Sequence, residues 1–279
     1  MVRSARIERL MQGLPLTAAS FIVTVYGDLV APRGEVLWMG SLIDVCRRVG
    51  ISESLVRTAT SRLVAAGRLE GARQGRRSFY RLAPTARAEF AAVARLLYAA
   101  AEEPARWLAL LAPGLSEEEG RRLRMARLGG DLWILALRAD EPPPPAVLTL
   151  AISEVSDPAA LARFWDLEAL QARYAALLTR FGPLAEDLAA GVSLSGGDAL
   201  AARLLLAHVH RGALLRDPRL PAEALPADWL GAEAKAMFRS LYKALTPMAE
   251  TEAARSLEGG AGPLPEATPQ TQARLAALA

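Results

Sequence analysis

Arginine side chains are concentrated in one short segment of this chain. Residues 47–81 carry nine arginines and only two acids, a net charge of +7, whereas the whole chain of 279 residues carries +3. The nine are Arg47, Arg48, Arg57, Arg62, Arg68, Arg73, Arg76, Arg77 and Arg81. Guanidinium groups form charge-assisted, often bidentate hydrogen bonds with phosphate oxygens. The segment therefore predicts a surface that binds a polyanion, with nucleic acid as the first candidate.

A helix must hold the first part of this segment. Ser52 is a suitable N-cap for a helix that ends at Gly67. By the 3.6-residue period we expect the inward positions to be Leu55, Val56, Ala59 and Leu63. The outward positions are then Arg57, Thr58, Ser61 and Arg62. In a major groove these four could reach base edges and phosphates, and Ser52 with the first helical amides could meet a phosphate.

A basic hairpin is predicted directly after the helix. Residues 68–70 and 78–82 are typical of two short strands joined near Gln74 and Gly75. The residues at its tip that could grip phosphates or enter a narrow minor groove are Arg73, Arg76, Arg77 and Ser78. Together with helices expected over 17–30 and 39–49, this pattern predicts a winged helix-turn-helix. Two alternatives remain open: a solvated helix with an edge hairpin, and a winged-helix module that binds protein in a multisubunit assembly.

The remainder of the chain predicts two further domains. Strands are expected over 131–138 and 146–155, on either side of a four-proline run at 142–145, and the flanking helices over 117–128, 159–163 and 167–181. After residue 182 we expect helices over 198–215 and 231–257, no strand, and a loose tail from residue 258. The predicted fold class is therefore α+β. Its predicted domains are a DNA-binding domain (1–85), an α+β middle domain (86–182) and a helical C-terminal domain (183–279).

Catalytic and metal-binding patterns are missing from the sequence. His208 and His210 are two residues apart on one predicted helix, so they point to different faces, which does not suit a shared metal. The lone cysteine, Cys46, excludes an intrachain disulfide and indicates a cytoplasmic, reducing compartment. No phosphate loop, nucleophile elbow or run of ~18 apolar residues is present. We expect no catalytic residue, metal, cofactor or membrane span, and an enzyme acting on CoA esters is the least favoured alternative.

Three residues are candidates for binding a small anionic or aromatic effector. His208 and Arg211 lie one helical turn apart and could meet a phosphate or carboxylate, or could instead hold the loop at Asp217 and Pro218. Trp229 could line an aromatic pocket or simply fill a core. The same two roles are open for three other tryptophans, Trp107, Trp133 and Trp165.

Several motifs together resemble the phenylacetic acid catabolon repressor family, PaaX. In the first third of the chain they are Gly27-Asp28, Pro32-Arg33-Gly34, Trp38, Gly50-Ile51-Ser52, Val56-Arg57-Thr58 and residues 75–82. In the last third they are His208, Arg211, Arg216-Asp217-Pro218, Leu220-Pro221, Trp229, Gly231 and Leu241-Tyr242. The resemblance is weaker across residues 100–160.

The resemblance implies a bacterial transcriptional repressor of aromatic-acid catabolism. Such a protein binds double-stranded operator DNA as a homodimer and is released by an aromatic acyl-CoA, typically phenylacetyl-CoA. It also implies a middle domain that is ferredoxin-like, similar to the CRISPR-associated Cas2 fold, and a helical C-terminal domain used in dimerisation.

Overall fold

Helices and antiparallel strands both build the fold, which confirms the α+β class. The computed structural model describes residues 4–98, 105–138 and 141–278. The helices are α1 (Ala5–Met11), α2 (Ala18–Val25), α3 (Met39–Arg48), α4 (Glu53–Ala65), α5 (Pro84–Tyr98), α6 (Glu117–Arg122), α7 (Pro158–Ala162), α8 (Leu167–Ala189), α9 (Gly196–Leu214), α10 (Gly231–Ser256) and α11 (Pro269–Ala277). The strands are β1 (Val36–Trp38), β2 (Leu69–Gln74), β3 (Arg77–Leu82), β4 (Ala105–Leu111), β5 (Ala126–Gly129), β6 (Leu132–Arg138), β7 (Leu148–Ile152), β8 (Glu258–Gly259) and β9 (Gly262–Pro263).

The chain divides into two compact units that interleave along the sequence. The first unit combines Met1–Ala100, Leu178–Arg211 and Lys235–Ala279. The second unit combines Ala101–Leu177 and Gly212–Ala234. These units do not coincide with the three consecutive domains that the sequence predicted, because helical residues from the last third of the chain belong to the same unit as the N-terminal elements. The functional division at residues 85 and 182 stays a prediction.

The first unit contains helices α2, α3 and α4 and a three-stranded sheet, whose first strand, β1, lies between α2 and α3 in the chain. Thr17 caps α2 by accepting a hydrogen bond from the Ser20 N–H at 3.3 Å, and the chain continues through a π-helical turn to Gly34, where φ is +88°. The strand order is β1-β3-β2, with every pairing antiparallel. The sequence predicted the helices and the hairpin. It missed β1, because a three-residue strand shows no period and forms only when Trp38 pairs with Phe79.

The second unit is built on a four-stranded antiparallel sheet of order β5-β6-β4-β7. One face buries Trp107, Ile134 and Ala136 against Leu167, and the other buries Leu110 and Trp133. Strands β6 and β7 confirm the predicted ones. The helix expected over 117–128 is wrong in length, because α6 ends at Arg122 and β5 follows. Strand β4 was not foreseen from the sequence.

The C-terminal tail is ordered and belongs to the first unit, so the expectation of a loose tail is wrong. Strands β8 and β9 form a small hairpin there, which also corrects the expectation of no strand after residue 182. Thr268 caps α11 and donates a hydrogen bond to the Pro32 carbonyl at 2.9 Å. Arg274 donates to the carbonyl oxygen of Asp28 at 2.7 Å. These contacts stabilise the tail, and they join residues too distant in sequence for periodicity to reveal.

Candidate nucleic-acid interface

Helix α4 has one firmly buried face and one polar face. Val56 and Thr60 are fully buried, and the Thr60 hydroxyl donates to the Val56 carbonyl at 2.8 Å. Ser52 caps the helix as expected, its hydroxyl accepting from the Leu55 N–H at 3.5 Å. The same hydroxyl lies 3.1 Å from the Ser54 hydroxyl. The helix is thus fixed by its inner side and its first turn, which leaves the other side free for a ligand.

The polar face carries the four residues that the sequence placed there. Arg57, Thr58, Ser61 and Arg62 are all exposed. The inward set was wrong at one position, because Leu55 is 56% exposed, and Thr60 occupies the core beside Val56 and Ala59. With about 100° between successive residues, a core centred on these three leaves Leu55 at the flank of the helix.

Arg57 is held by a neighbour on its own helix. Its guanidinium lies 2.8 Å from a carboxylate oxygen of Glu53, and both side chains are more than half exposed. An exposed pair at this spacing contributes only about 0.3–0.5 kcal/mol to stability. A phosphate or a base edge could therefore take over the Arg57 guanidinium at little energetic cost.

The hairpin presents its tip to solvent. Gln74 pairs with Arg77 at the end of the ladder, and Gly75 makes the turn with φ of +60°. Arg73 and Arg76 are exposed; the Arg73 Nε donates to the Gly75 carbonyl at 3.2 Å. Arg77 is more restrained, because its guanidinium stacks 4.2 Å over the Trp38 ring and lies 2.5 Å from Glu258. Ser78 is half-buried on β3, opposite Arg73.

Ion pairs reduce the effective charge of the arginine-rich segment. Six of the nine arginines pair with acids: Arg47 with Asp44, Arg48 with Glu252, Arg57 with Glu53, Arg68 with Glu89, Arg77 with Glu258 and Arg81 with Glu70. Four of those acids lie outside residues 47–81, so the sequence count of +7 overstates the local field. Within the described part of the chain, Arg62, Arg73 and Arg76 form no ion pair.

His208 and Arg211 connect α9 to α2. The Nδ1 of His208 lies 3.0 Å from the Thr24 hydroxyl, and its ring meets Phe21 edge-on. Arg211 donates to the carbonyl and hydroxyl oxygens of Ser20 at 3.1 and 3.2 Å. Burial, with Arg211 nearby, lowers the pKa of His208 to about 4. Both residues are therefore committed to contacts that hold two helices together, and a role in effector binding stays a prediction.

Trp229 belongs to the second unit, whereas His208 and Arg211 belong to the first. Its ring packs edge-on against Tyr174, with centroids 5.6 Å apart. Asp217, which the sequence offered as a possible partner of His208 and Arg211, accepts hydrogen bonds from the Tyr174 hydroxyl at 2.5 Å and the Arg219 N–H at 2.6 Å. In the same unit, the ring centroids of Trp107 and Trp165 lie 6.2 Å apart.

The first unit also contains a buried charge network, which the sequence did not reveal as such. The Asp28 carboxylate accepts hydrogen bonds from the hydroxyls of Tyr98 and Tyr242, each at 2.7 Å. Arg203 lies 3.0 Å from it, and Arg274 3.7 Å. Burial alone would raise the pKa of Asp28, but these cations and hydroxyls outweigh it and hold the pKa below its ordinary value.

The network extends through a second carboxylate. Glu250 pairs with Arg203 at 2.5 Å and with Arg33, and Arg33 also donates to the Leu29 carbonyl at 2.8 Å. The signal available in the sequence was Arg203 itself, a charge in the apolar run 199–207. A charge at such a position is tolerated only with partners, and these come from residues about 50 to 175 positions away.

Metal and redox chemistry find little support in the described residues. Among them, no group of three His, Cys, Asp or Glu side chains could hold a metal ion. Cys46 is buried, and burial raises the pKa of its thiol to about 12, so it is a core residue. Within the same ranges, no helix combines the length and apolar character that a bilayer-spanning segment needs.

Comparison with known proteins relates the chain to one family. A model described as PaaX-like protein matches residues 17–86, and one described as PaaX-like protein C-terminal domain matches residues 165–255. The transcriptional repressor PaaX of Escherichia coli (strain K12) is 31% identical to this chain over an alignment of 290 residues. The alignment covers 93% of this chain and 90% of that protein. The solved structure of the uncharacterized protein Rv0674 from Mycobacterium tuberculosis has a TM-score of 0.52 at 22% identity.

That structural match covers 84% of this chain and 98% of the other, and it supports the fold alone. The relationship to a transcriptional repressor confirms the prediction that the chain is not an enzyme. Family models at both ends and a relative matched along almost its whole length lead to one conclusion: the chain belongs to the PaaX-like family of transcriptional repressors.

Proposed function

We propose that this repressor binds duplex operator DNA through a winged helix-turn-helix made of α2, α3, α4 and the β2–β3 hairpin. Helix α4 enters the major groove, and the hairpin tip contacts the adjacent backbone. The observation that carries the proposal is the joint exposure of Arg57 and Arg62 on α4 with Arg73 and Arg76 on the hairpin. The protein then acts in the cytoplasm on an operon of aromatic-acid, phenylacetate-type catabolism.

Two copies of the chain are expected to bind together. A homodimer places two recognition helices on successive half-sites, so an operator with two-fold symmetry is bound more tightly than a single half-site. The helical residues after 183 are the proposed dimerisation region. The middle sheet is proposed to be ferredoxin-like, although residues 141–147 between β6 and β7 contain no helix where that fold has its second one.

The effector is proposed to be an aromatic acyl-CoA such as phenylacetyl-CoA. It would bind the DNA-free arrangement more tightly and so shift the population away from the operator-bound state. His208, Arg211 and Trp229 remain the candidate contacts. A panel of aromatic CoA thioesters, added to the complex of the protein with the promoter upstream of its own gene, tests this step. Release by none of them would contradict it.

Alanine substitutions test the interface. Arg76→Ala removes an exposed cation that forms no ion pair with any described residue, so we expect weaker binding to every duplex, by about tenfold at low salt. Arg57→Ala should weaken operator binding and also relax its sequence preference. Arg173→Ala, an exposed arginine on α8, is the matched control and should change neither. Binding is measured by gel shift with excess nonspecific competitor.

The same gel shift distinguishes the main alternative. A winged-helix module that binds protein in a larger assembly would show no specific shift, and its Arg57 and Arg76 variants would behave like the parent. That result would overturn the proposed interface. A specific shift that is weakened in both variants but unchanged in Arg173→Ala supports it.

A further inference from the structure

One large apolar side chain is exposed at the edge of the polar face of α4. Leu55 lies in the first turn of the helix and is 56% exposed, although its neighbours on that side are hydroxyl and guanidinium groups. With 3.6 residues per turn, Leu55, Thr58 and Arg62 follow one another along a single stripe at i, i+3 and i+7. The stripe begins at the end of the helix that a winged helix-turn-helix places nearest the bases.

The side chains around Leu55 permit close approach to a ligand. Ser54, Thr58 and Ser61 are exposed and short, so they leave the helix axis free to come near base edges. Arg57 and Arg62 flank these short residues on opposite sides, about 140° apart around the helix. Leu55 lies next to Arg62, about 20° from it around the helix, and a cation beside an exposed apolar group suits a polyanion better than an apolar protein surface.

Duplex DNA offers one apolar group in its major groove, the C5-methyl of thymine. We infer that Leu55 packs against thymine methyl groups and is a specificity-determining residue of α4. The inference rests on the proposed function and adds to it a contact that selects thymine by shape and apolar burial. Arg57 and Arg62 then fix the position of the helix on hydrogen-bonding groups and phosphates beside that contact.

A thermodynamic cycle isolates this contact. The probe is a duplex from the promoter upstream of the protein's own gene, with the bound segment located by footprinting. Each thymine in the segment is replaced singly by deoxyuridine, which removes only the methyl group. With the parent protein we expect one or two positions where affinity falls about fourfold, the change that burial of one methyl-sized group produces. With Leu55→Ala the same replacements should have no effect.

Val64→Ala is the matched control. Val64 is an aliphatic residue on the same helix, 37% exposed, and about 180° from Leu55 around the axis. This variant should keep the parent's sensitivity to deoxyuridine. Thermal unfolding of both variants should match the parent within a few degrees, because neither side chain is buried in the core.

The outcomes separate the two claims. If the parent protein binds the duplex but Leu55→Ala responds to deoxyuridine as the parent does, or no thymine is sensitive, the assignment of Leu55 is wrong and the proposed function stands. If the parent binds no DNA specifically, the proposed function fails and the inference with it. Sensitivity in the parent and in Val64→Ala, with none in Leu55→Ala, supports the contact.

Discussion

Single charged residues hold the N-terminal elements of the first unit against helices that follow them in the chain. Asp28 is buried with Arg203, Tyr98 and Tyr242 around it, and each of these partners comes from a different helix. A buried ion pair is a weak source of net stability, because desolvation offsets most of the attraction. It is nevertheless demanding in geometry, since a misplaced helix would leave a charge unpaired. We therefore interpret the network as fixing one arrangement of these elements within the first unit.

The two histidines predict how stability depends on pH. Burial lowers the pKa of His208 to about 4 and that of His210 to about 3, with the cations Arg211 and Lys235 adding to the effect. Both pKa values lie below that of an unfolded histidine, so the unfolded state binds more protons. Stability is therefore complete above pH ~6.5 and falls as the pH drops towards the folded values.

We expect the free energy of unfolding to fall by about 2 kcal/mol per histidine between pH 7.5 and pH 5. Urea unfolding at a series of pH values measures it. His208→Gln and His210→Gln should each remove about half of the dependence. The Asp28 carboxyl adds to this loss of stability only at still lower pH, because its pKa in the folded protein lies below the ordinary value. A stability that stays constant from pH 7.5 to 5 would contradict the burial of both rings.

At the level of elements, the sequence was most informative where the determinants are local. Helix α4 and the hairpin follow from a cap at Ser52, a 3.6-residue period and a Gly75 turn, all within thirty residues. Strand β4 and helix α11 were missed, because the first is defined by pairing with β6 and β7 and the second by contacts with Asp28 and Pro32. Leu55 was misplaced because periodicity gives the direction of a buried face but not its width.

The Gly75 turn supports a prediction on the hairpin. Gly75 has φ of +60°, a conformation that a β-branched residue adopts at a cost of roughly 1–2 kcal/mol. Gly75→Val should therefore distort the hairpin tip and weaken DNA binding by about tenfold. Gly114→Val is the control, because Gly114 has φ of +79°, with equally open surroundings, in the second unit. Fluorescence anisotropy with labelled operator compares them, and equal losses in both variants would mean that the hairpin tip has no specific role.

At the level of the whole molecule, ion pairing determines how strongly salt should weaken the complex. Counterion release makes the logarithm of affinity fall with the logarithm of salt concentration, with a slope of about −0.9 per phosphate contact. Three of the nine arginines, Arg62, Arg73 and Arg76, form no ion pair within the described ranges, so a dimer offers six readily available cations. The expected slope is then about −5.

Engagement of all nine arginines in each chain would require every ion pair to open on DNA, and the slope would approach −16. Titration of the operator complex between 50 and 300 mM salt (roughly the range in which such slopes are linear) distinguishes the two cases. Arg76→Ala should make the slope shallower by about 2, since each copy loses one phosphate contact. A parent slope steeper than about −10 would show that several of the six ion-paired arginines of this segment also leave their carboxylates for phosphates, because the three arginines without an ion pair in each copy could not supply so many contacts.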